Sequence, residues 1–369
     1  MWPKHGQPWP GRLTWRGRGS SEVIFAAGVL LVVLTGCQQV SLERVHEIEL
    51  REEALRGLKA GARYEANAVV RAQAIEALGK VAPGQGTPFF LEALRDPSPV
   101  VRFAACMALG SARCKDAAEL LRLRLEDEEG SVQAAAVYAL HRLGDQGHTS
   151  ILADKLLRDP DVRVRRNAAL ILGELGEAGS IRLLKHAARD RDEGVMLQAT
   201  EAMALLGDPK ARQQLAVQAH DGAGHRQALA LIAMGRIRDP RFLPAIEYRL
   251  KEGPYPETRL AAARALGQYG REDGLKLALK ELDFVPSGKG LPEDPPENQI
   301  MRIRSMAALA LGAIGDPAAL PALKRRLEAQ DDPRVQLAAA RAILEILDSS
   351  GPWSARADNS ARTAAHRRR

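Results

Sequence analysis

Few residues of this chain carry chemistry of their own. There are three cysteines and eight histidines in 369 residues, so what matters is their spacing. His220-Asp221 with His225 brings three donors close together in sequence. Asp221 also falls where a helix cap is wanted, and a metal needs three or four converging ligands. Cys106 and Cys114 stand eight residues apart across an expected helix end. That spacing rarely brings Cα atoms within the ~7 Å that a disulfide requires, so Cys106 reads as a small core residue. No Ser-His-Asp ordering and no glycine-rich phosphate loop stands out. The expectation is therefore no catalytic residue, no metal and no cofactor. Cys37 is the exception: its thiol directly follows the apolar run at 23–34 and the small residue Gly36, with basic residues upstream.

The run at 23–34 has 12 residues, too few to cross ~30 Å of hydrocarbon as a helix. It suits the apolar region of a secretory signal. Leu34-Thr35-Gly36-Cys37 resembles the lipobox of bacterial lipoprotein signals. The resemblance implies cleavage before Cys37, diacylglycerol on its sulfur and acylation of its amine. Several acyl chains hold a protein firmly where one chain is marginal. Gln38 stands where Asp would mark inner-membrane retention, so the expected location is the periplasmic face of the outer membrane. A cytoplasmic adaptor with a misread N-terminus is the alternative. The expected divisions are a signal at 1–36, a lipidated spacer at 37–40, a helical body at 41–348 and a disordered basic tail at 349–369.

The net charge of +7 belongs to the ends: +3 lies in residues 1–36 and +4 in residues 350–369. The body between is neutral and offers no basic stripe for nucleic acid, so none is expected as a partner. Aromatics are only 4% of a chain that is 46% apolar, which favours Ala- and Leu-packed helices over a sheet sandwich.

The body repeats itself. Val70-Arg71 is followed by Ala74, Ala77, Leu78 and Gly79, and Val101-Arg102 by Ala105, Ala108, Leu109 and Gly110. Val132-Gln133 is followed by Ala136, Ala139 and Leu140, and Val164-Arg165 by Ala168, Leu172 and Gly173. Val195, Arg226, Thr258, Ile303 and Val335 open five more copies, at steps of 31, 31, 32, 31, 31, 32, 45 and 32 residues. Counting each opening as position 0, positions 0, 4, 7 and 8 are apolar, the one-face pattern of a helix, and Ala at 4 and 7 permits close approach. Glu65, Asp96, Asp127, Asp159, Asp190 and Asp221 stand where they would cap these helices, with Pro97 and Pro160 at the first helical position. Gly after Leu is expected to help end the helix. Residues 41–60, 87–95, 117–125, 180–188, 243–250 and 320–327 read as the partner helices, giving nine pairs.

The Asp-Pro-x-x-Val-Arg…Ala-Leu-Gly…Gly-Asp-Pro cadence, as in residues 159–173 and 311–317, resembles the HEAT repeat, specifically the short repeats of the phycobilisome-lyase type. It covers about residues 61–347 and implies an all-α, right-handed α-solenoid with second helices lining a concave groove. Related deoxyhypusine hydroxylases hold iron with repeated His-Glu pairs, and here only His46-Glu47 occurs. Family members usually carry polar residues at positions 2 and 6. This chain has Phe103, Met107, Tyr138, Leu170, Leu197, Ile232 and Leu260 there, a candidate apolar strip for a protein or peptide. The 45-residue step contains residues 283–299, a Pro- and Gly-rich loop with Phe284 and Lys289 as contact residues. The leading expectation is a membrane-anchored scaffold without catalysis of its own. The alternative is an enzyme, or enzyme subunit, of the lyase-like class acting on a bound small molecule or chromophore.

Overall fold

The computed structural model describes residues 42–221, 223–286 and 294–350. They form eighteen α-helices, several preceded by a 3-10 turn. In order these are α1 (Leu42–Gly61), α2 (Ala68–Val81), α3 (Pro83–Ala93), α4 (Pro99–Ser111), α5 (Ala118–Leu123), α6 (Gly130–Arg142), α7 (Thr149–Arg158), α8 (Val162–Leu175), α9 (Ile181–Ala187), α10 (Glu193–Leu205), α11 (Pro209–Asp221), α12 (Gly224–Ile237), α13 (Leu243–Glu252), α14 (Pro256–Gln268), α15 (Leu275–Glu281), α16 (Pro296–Ile314), α17 (Leu320–Glu328) and α18 (Pro333–Ser350). The all-α solenoid of nine helix pairs is what the residues build. The even-numbered helices are the second members of the pairs.

Each even helix packs on the next, and α18 returns to pack on α2. The concave groove implied by the resemblance is thus closed into a lumen. At the seam, a Cβ added to Gly61 would lie 2.6 Å from Leu337 Cδ2. Arg51 Nη1 meets Asp348 Oδ1 at 2.7 Å, and Arg341 Nη1 lies 3.9 Å from Glu76 Oε1.

The physical basis of this tight winding is small residues. The glycine of Ala-Leu-Gly does not end its helix, contrary to the sequence expectation. It lies inside the helix, where a Cβ on Gly110 would come within 2.7 Å of Ala139 Cα, and one on Gly312 within 2.8 Å of Ala342 Cα. Position 9 of one copy therefore touches the position-7 Ala of the next. Helix ends fall three residues later, at a left-handed residue: Gly144, Gly176, Gly207, Gly270 or Gly315, and twice an arginine, Arg113 (φ 52°) and Arg238 (φ 56°).

The expected acidic caps also play another part. Asp96, Asp127, Asp159 and Asp190 sit two residues too early to cap. Each accepts the backbone N–H two residues ahead: Ser98, Glu129, Asp161 and Asp192. The caps proper include Asn67, Asp161 and Asp192, and the helices begin at Pro99 and Val162, after Pro97 and Pro160. Three of the early aspartates take the position-1 arginine of the preceding copy in a two-pronged bond. Arg71 holds Asp96 at 2.8 and 2.8 Å, Arg102 holds Asp127 at 2.9 and 2.8 Å, and Arg165 holds Asp190 at 2.8 and 2.9 Å. The third nitrogen of each arginine donates to loop carbonyls, as Arg102 Nη1 does to Asp96 O.

The 45-residue step is absorbed partly by helix. Pro296 starts α16, so residues 297–299 are helical and the loop is shorter than expected. The shift shows at the next contact: a Cβ on Gly267 would meet Ile314 N at 2.6 Å, one turn beyond the usual position-7 partner.

Candidate functional site

The expected apolar strip does not survive as one surface. Tyr138 is buried beneath Gly110, with its hydroxyl 3.1 Å from Ser111 Oγ, and Leu260 is fully buried. Both are core residues, because the close helix spacing turns these positions into the neighbouring copy. Phe103, Met107, Leu170, Leu197 and Ile232 are half-buried. Phe284 is half-buried, and its carbonyl accepts Arg304 Nε at 3.2 Å; Lys289 and Cys37 lie outside the described residues, as do the signal and basic tail.

Cys106 is not poised for catalysis. Cys106 and Cys114 are both free, and burial pushes the Cys106 thiol up to about 12, which leaves no thiolate near neutral pH. Among the described residues, no group of three or more His, Cys, Asp and Glu side chains is placed to hold a metal ion. His220 and His225 are exposed.

What the repeats do gather in the lumen is charge. Positions 3, 6 and 10 of the even helices share one face. On α12, Arg236 at position 10 bonds Glu201 of α10 at 2.9 Å and reaches past it to Glu174 of α8. On the two helices of the seam, Arg341 bonds Glu345 one turn along α18 at 2.8 Å, and Lys80 bonds Glu76 one turn back along α2 at 2.8 Å. Arg264, at position 6 of α14, feels the charges of Arg341, Glu345, Glu76 and Arg236. Arg236 belongs to the adjacent copy and the other three to helices two or more copies away, so the side chains converge on the lumen. Burial, then the like charge of Arg341, lowers the Arg264 pKa; no hydrogen bond or ion pair to it is found among the described residues. Burial raises the Glu201 carboxyl despite Arg236. Burial also works on Glu76, but Lys80, Arg341 and Arg264 outweigh it and hold that carboxyl below its usual range.

At one rim lies a cleft of about 700 Å³, whose one charged lining residue is Arg238. It is lined by the C-terminal ends of α12, α14, α16 and α18, including Arg238, Gln268, Tyr269, Ile314 and Ser349. Its volume is that of an ordinary small-molecule site. Glycines 267, 270, 312 and 315 are among its lining residues. Tyr269 is a wall rather than an acid: its hydroxyl donates to Asp239 O at 2.8 Å, and burial raises its pKa to about 12. Gln268 lies over Gly235, and its Oε1 is buried without a hydrogen-bond partner. Arg264 stands one turn before Gln268 on the same helix face. The arrangement can bind an anion and accept a hydrogen bond from it. The sequence reading missed both residues, since position 6 was weighed only where it is apolar. The charged copies (Glu76, Glu201, Arg264 and Arg341) carried the signal.

Comparison with known proteins supplies the remaining findings. The family described as HEAT repeats matches residues 55–141, 87–161, 149–228 and 297–344, together more than half of the chain. The chain is 31% identical over 123 residues to the Bilin biosynthesis protein MpeU of Synechococcus sp. (strain WH8020), covering 31% of this chain and 41% of that protein. It therefore spans less than half the length of this curated relative. Among solved structures, the complex of CpcE and CpcF of phycocyanin lyase from Nostoc sp. PCC7120 superposes with TM-score 0.41 at 20% identity, over 66% of this chain and 94% of that one. Human deoxyhypusine hydroxylase superposes with TM-score 0.37 at 20% identity, over 73% and 98%. Neither superposition carries a functional argument. The expectation of a scaffold without catalysis is corrected by the curated relative: a protein named for bilin biosynthesis favours the second reading, an enzyme or enzyme subunit acting on a small molecule.

Proposed function

The chain belongs to the HEAT-repeat family, and we propose that its ring binds a bilin-class small molecule at the charged side of the lumen, as an enzyme or enzyme subunit in bilin biosynthesis. The observation that carries this reading is the 31% identity over 123 residues to a protein named for bilin biosynthesis. The rim cleft lined by Arg238 supports it, because it offers a cation and a cavity of suitable size to an organic anion.

The test is a titration of the purified chain with biliverdin, followed by visible absorbance and thermal unfolding. Binding predicts a shifted absorbance band and stabilisation of about 2.7 kcal/mol at a hundredfold excess over Kd. An unchanged spectrum together with an unchanged melting curve would sink the proposal.

We further propose that residues 1–36 are removed and that Cys37 is lipidated, placing the ring at the periplasmic face of the outer membrane. The support is the apolar run at 23–34 followed by Leu34-Thr35-Gly36-Cys37. Incorporation of labelled palmitate, abolished by Cys37→Ala, is the expected result. Equal labelling of both proteins would refute it.

A further inference from the structure

Two features meet at the rim cleft that the repeat pattern does not require. The first is Arg238. It occupies position 12, where the chain turns left-handed after the inner helix; five other copies use glycine there. A side chain in that conformation costs stability that glycine would not. Arg238 lines the cleft and is exposed; its backbone N–H donates to Met234 O, but its side chain makes no hydrogen bond or ion pair among the described residues. Arg113 is strained in the same way in the second copy but lies outside the cleft, which makes it a natural control. The second feature is Gln268, whose buried Oε1 lacks a donor. A buried amide oxygen without a partner is costly, and a ligand N–H or O–H would relieve it.

We propose that this cleft is a carboxylate-binding subsite: Arg238 holds an organic anion, and Gln268 Oε1 accepts an N–H that the ligand presents beside its carboxylate. The assignment rests on the bilin reading insofar as a bilin carries both groups, propionate carboxylates and pyrrole N–H. Arginine suits the role because its planar fork bonds a carboxylate through two donors. Burial on one side strengthens the bond, and the rim leaves an entry path.

The experiment measures binding of biliverdin and of biliverdin dimethyl ester to the full chain and to Arg238→Gly, Gln268→Leu and Arg113→Gly. Losing one charge-assisted bond predicts at least about a tenfold weaker Kd for Arg238→Gly. Its melting temperature stays the same or rises, since glycine is the relaxed residue there, so misfolding cannot account for the loss. Gln268→Leu weakens the acid severalfold, Arg113→Gly binds as the parent does, and the ester binds the parent weakly. If the parent binds biliverdin and both cleft variants bind it equally well, the subsite is overturned while the bilin reading stands. Stabilisation of the parent by succinate but not biliverdin, lost in Arg238→Gly, leaves the subsite standing and removes the bilin. No response to either ligand overturns both.

Discussion

On α2, α4 and α8, position-1 arginines grip the aspartates of the following copy, while α6 has Gln133 there, and position 6 of α4, α6 and α8 carries Met107, Tyr138 and Leu170. From α10 to α14 the pattern reverses. Position 1 holds Met196, Gln227 and Arg259, and Arg259 Nε is buried without a partner because Phe284 stands 25 residues on, where an aspartate would be. Position 6 holds Glu201, Ile232 and Arg264, and charges meet in the lumen. The same scaffold thus uses ionic residues as mortar between copies in one arc and gathers them in the lumen in the other, where Arg264 makes no hydrogen bond or ion pair among the described residues. Charges fully bonded to protein are a structural device, whereas a charge left without a bonded partner is available to a ligand.

The contrast can be broken most forcefully at Asp127. Its side chain is 2% exposed and that of Arg102 is 7%, so Asp127→Ala strands a buried guanidinium. Denaturant unfolding should show a loss of about 3–5 kcal/mol. A cost under about 1 kcal/mol would mean that the ladder is ornamental. The seam comes next. Gly61→Leu drives a side chain into Leu337 and Ala74, and overpacking of this kind costs about 1–3 kcal/mol. Small-angle scattering should then show a larger radius of gyration as the ring opens; an unchanged radius would show that closure does not depend on the seam.

The two arcs should also respond to pH with opposite sign. Its bond with Arg165 lowers the Asp190 carboxyl pKa from the ordinary 3.8. Its stabilisation is therefore present above that value and is lost as pH falls through the lowered one. Asp190→Asn should be less stable than the parent at neutral pH, by about 1–3 kcal/mol, with the gap closing in acid. Burial raises the Glu201 carboxyl from 4.5, so its favourable contribution is present below 4.5 and is lost as pH rises through the raised value. Glu201→Gln should then be neutral or slightly stabilising at pH 7, and a clear destabilisation would return Glu201 to the mortar. The smallest effect is the matched pair Arg113→Gly and Arg238→Gly. Each should gain about 0.5–1 kcal/mol by removing left-handed strain. A gain at Arg113 alone would show that Arg238 already makes a compensating bond.

Much of this was legible in the residues. Nine copies, their helix pairs and the Ala-lined contacts follow from a period held within one residue over most of the chain. Such a period exists only if every copy buries the same face. The position-1 arginine was visible as Val-Arg, but its partner was not, because the bond joins residues 25 apart through a fold that the local pattern does not describe. The aspartates were misread as caps for the same reason: their local spacing suits a turn, and only the neighbouring copy reveals the second use. Arg264 and Gln268 were hidden by attention to apolar departures from the family pattern.

Sequence alone determined the repeat, the helix class and the neutral body with charged ends, since periodicity and composition are local properties. Tertiary structure decided the closure of the solenoid, the burial of Tyr138 and Leu260, and the gathering of distant charges in one lumen. Those outcomes depend on how far each glycine–alanine contact turns one helix against the next. A small rotation summed over nine copies separates an open groove from a ring. That sum is not written in any single copy.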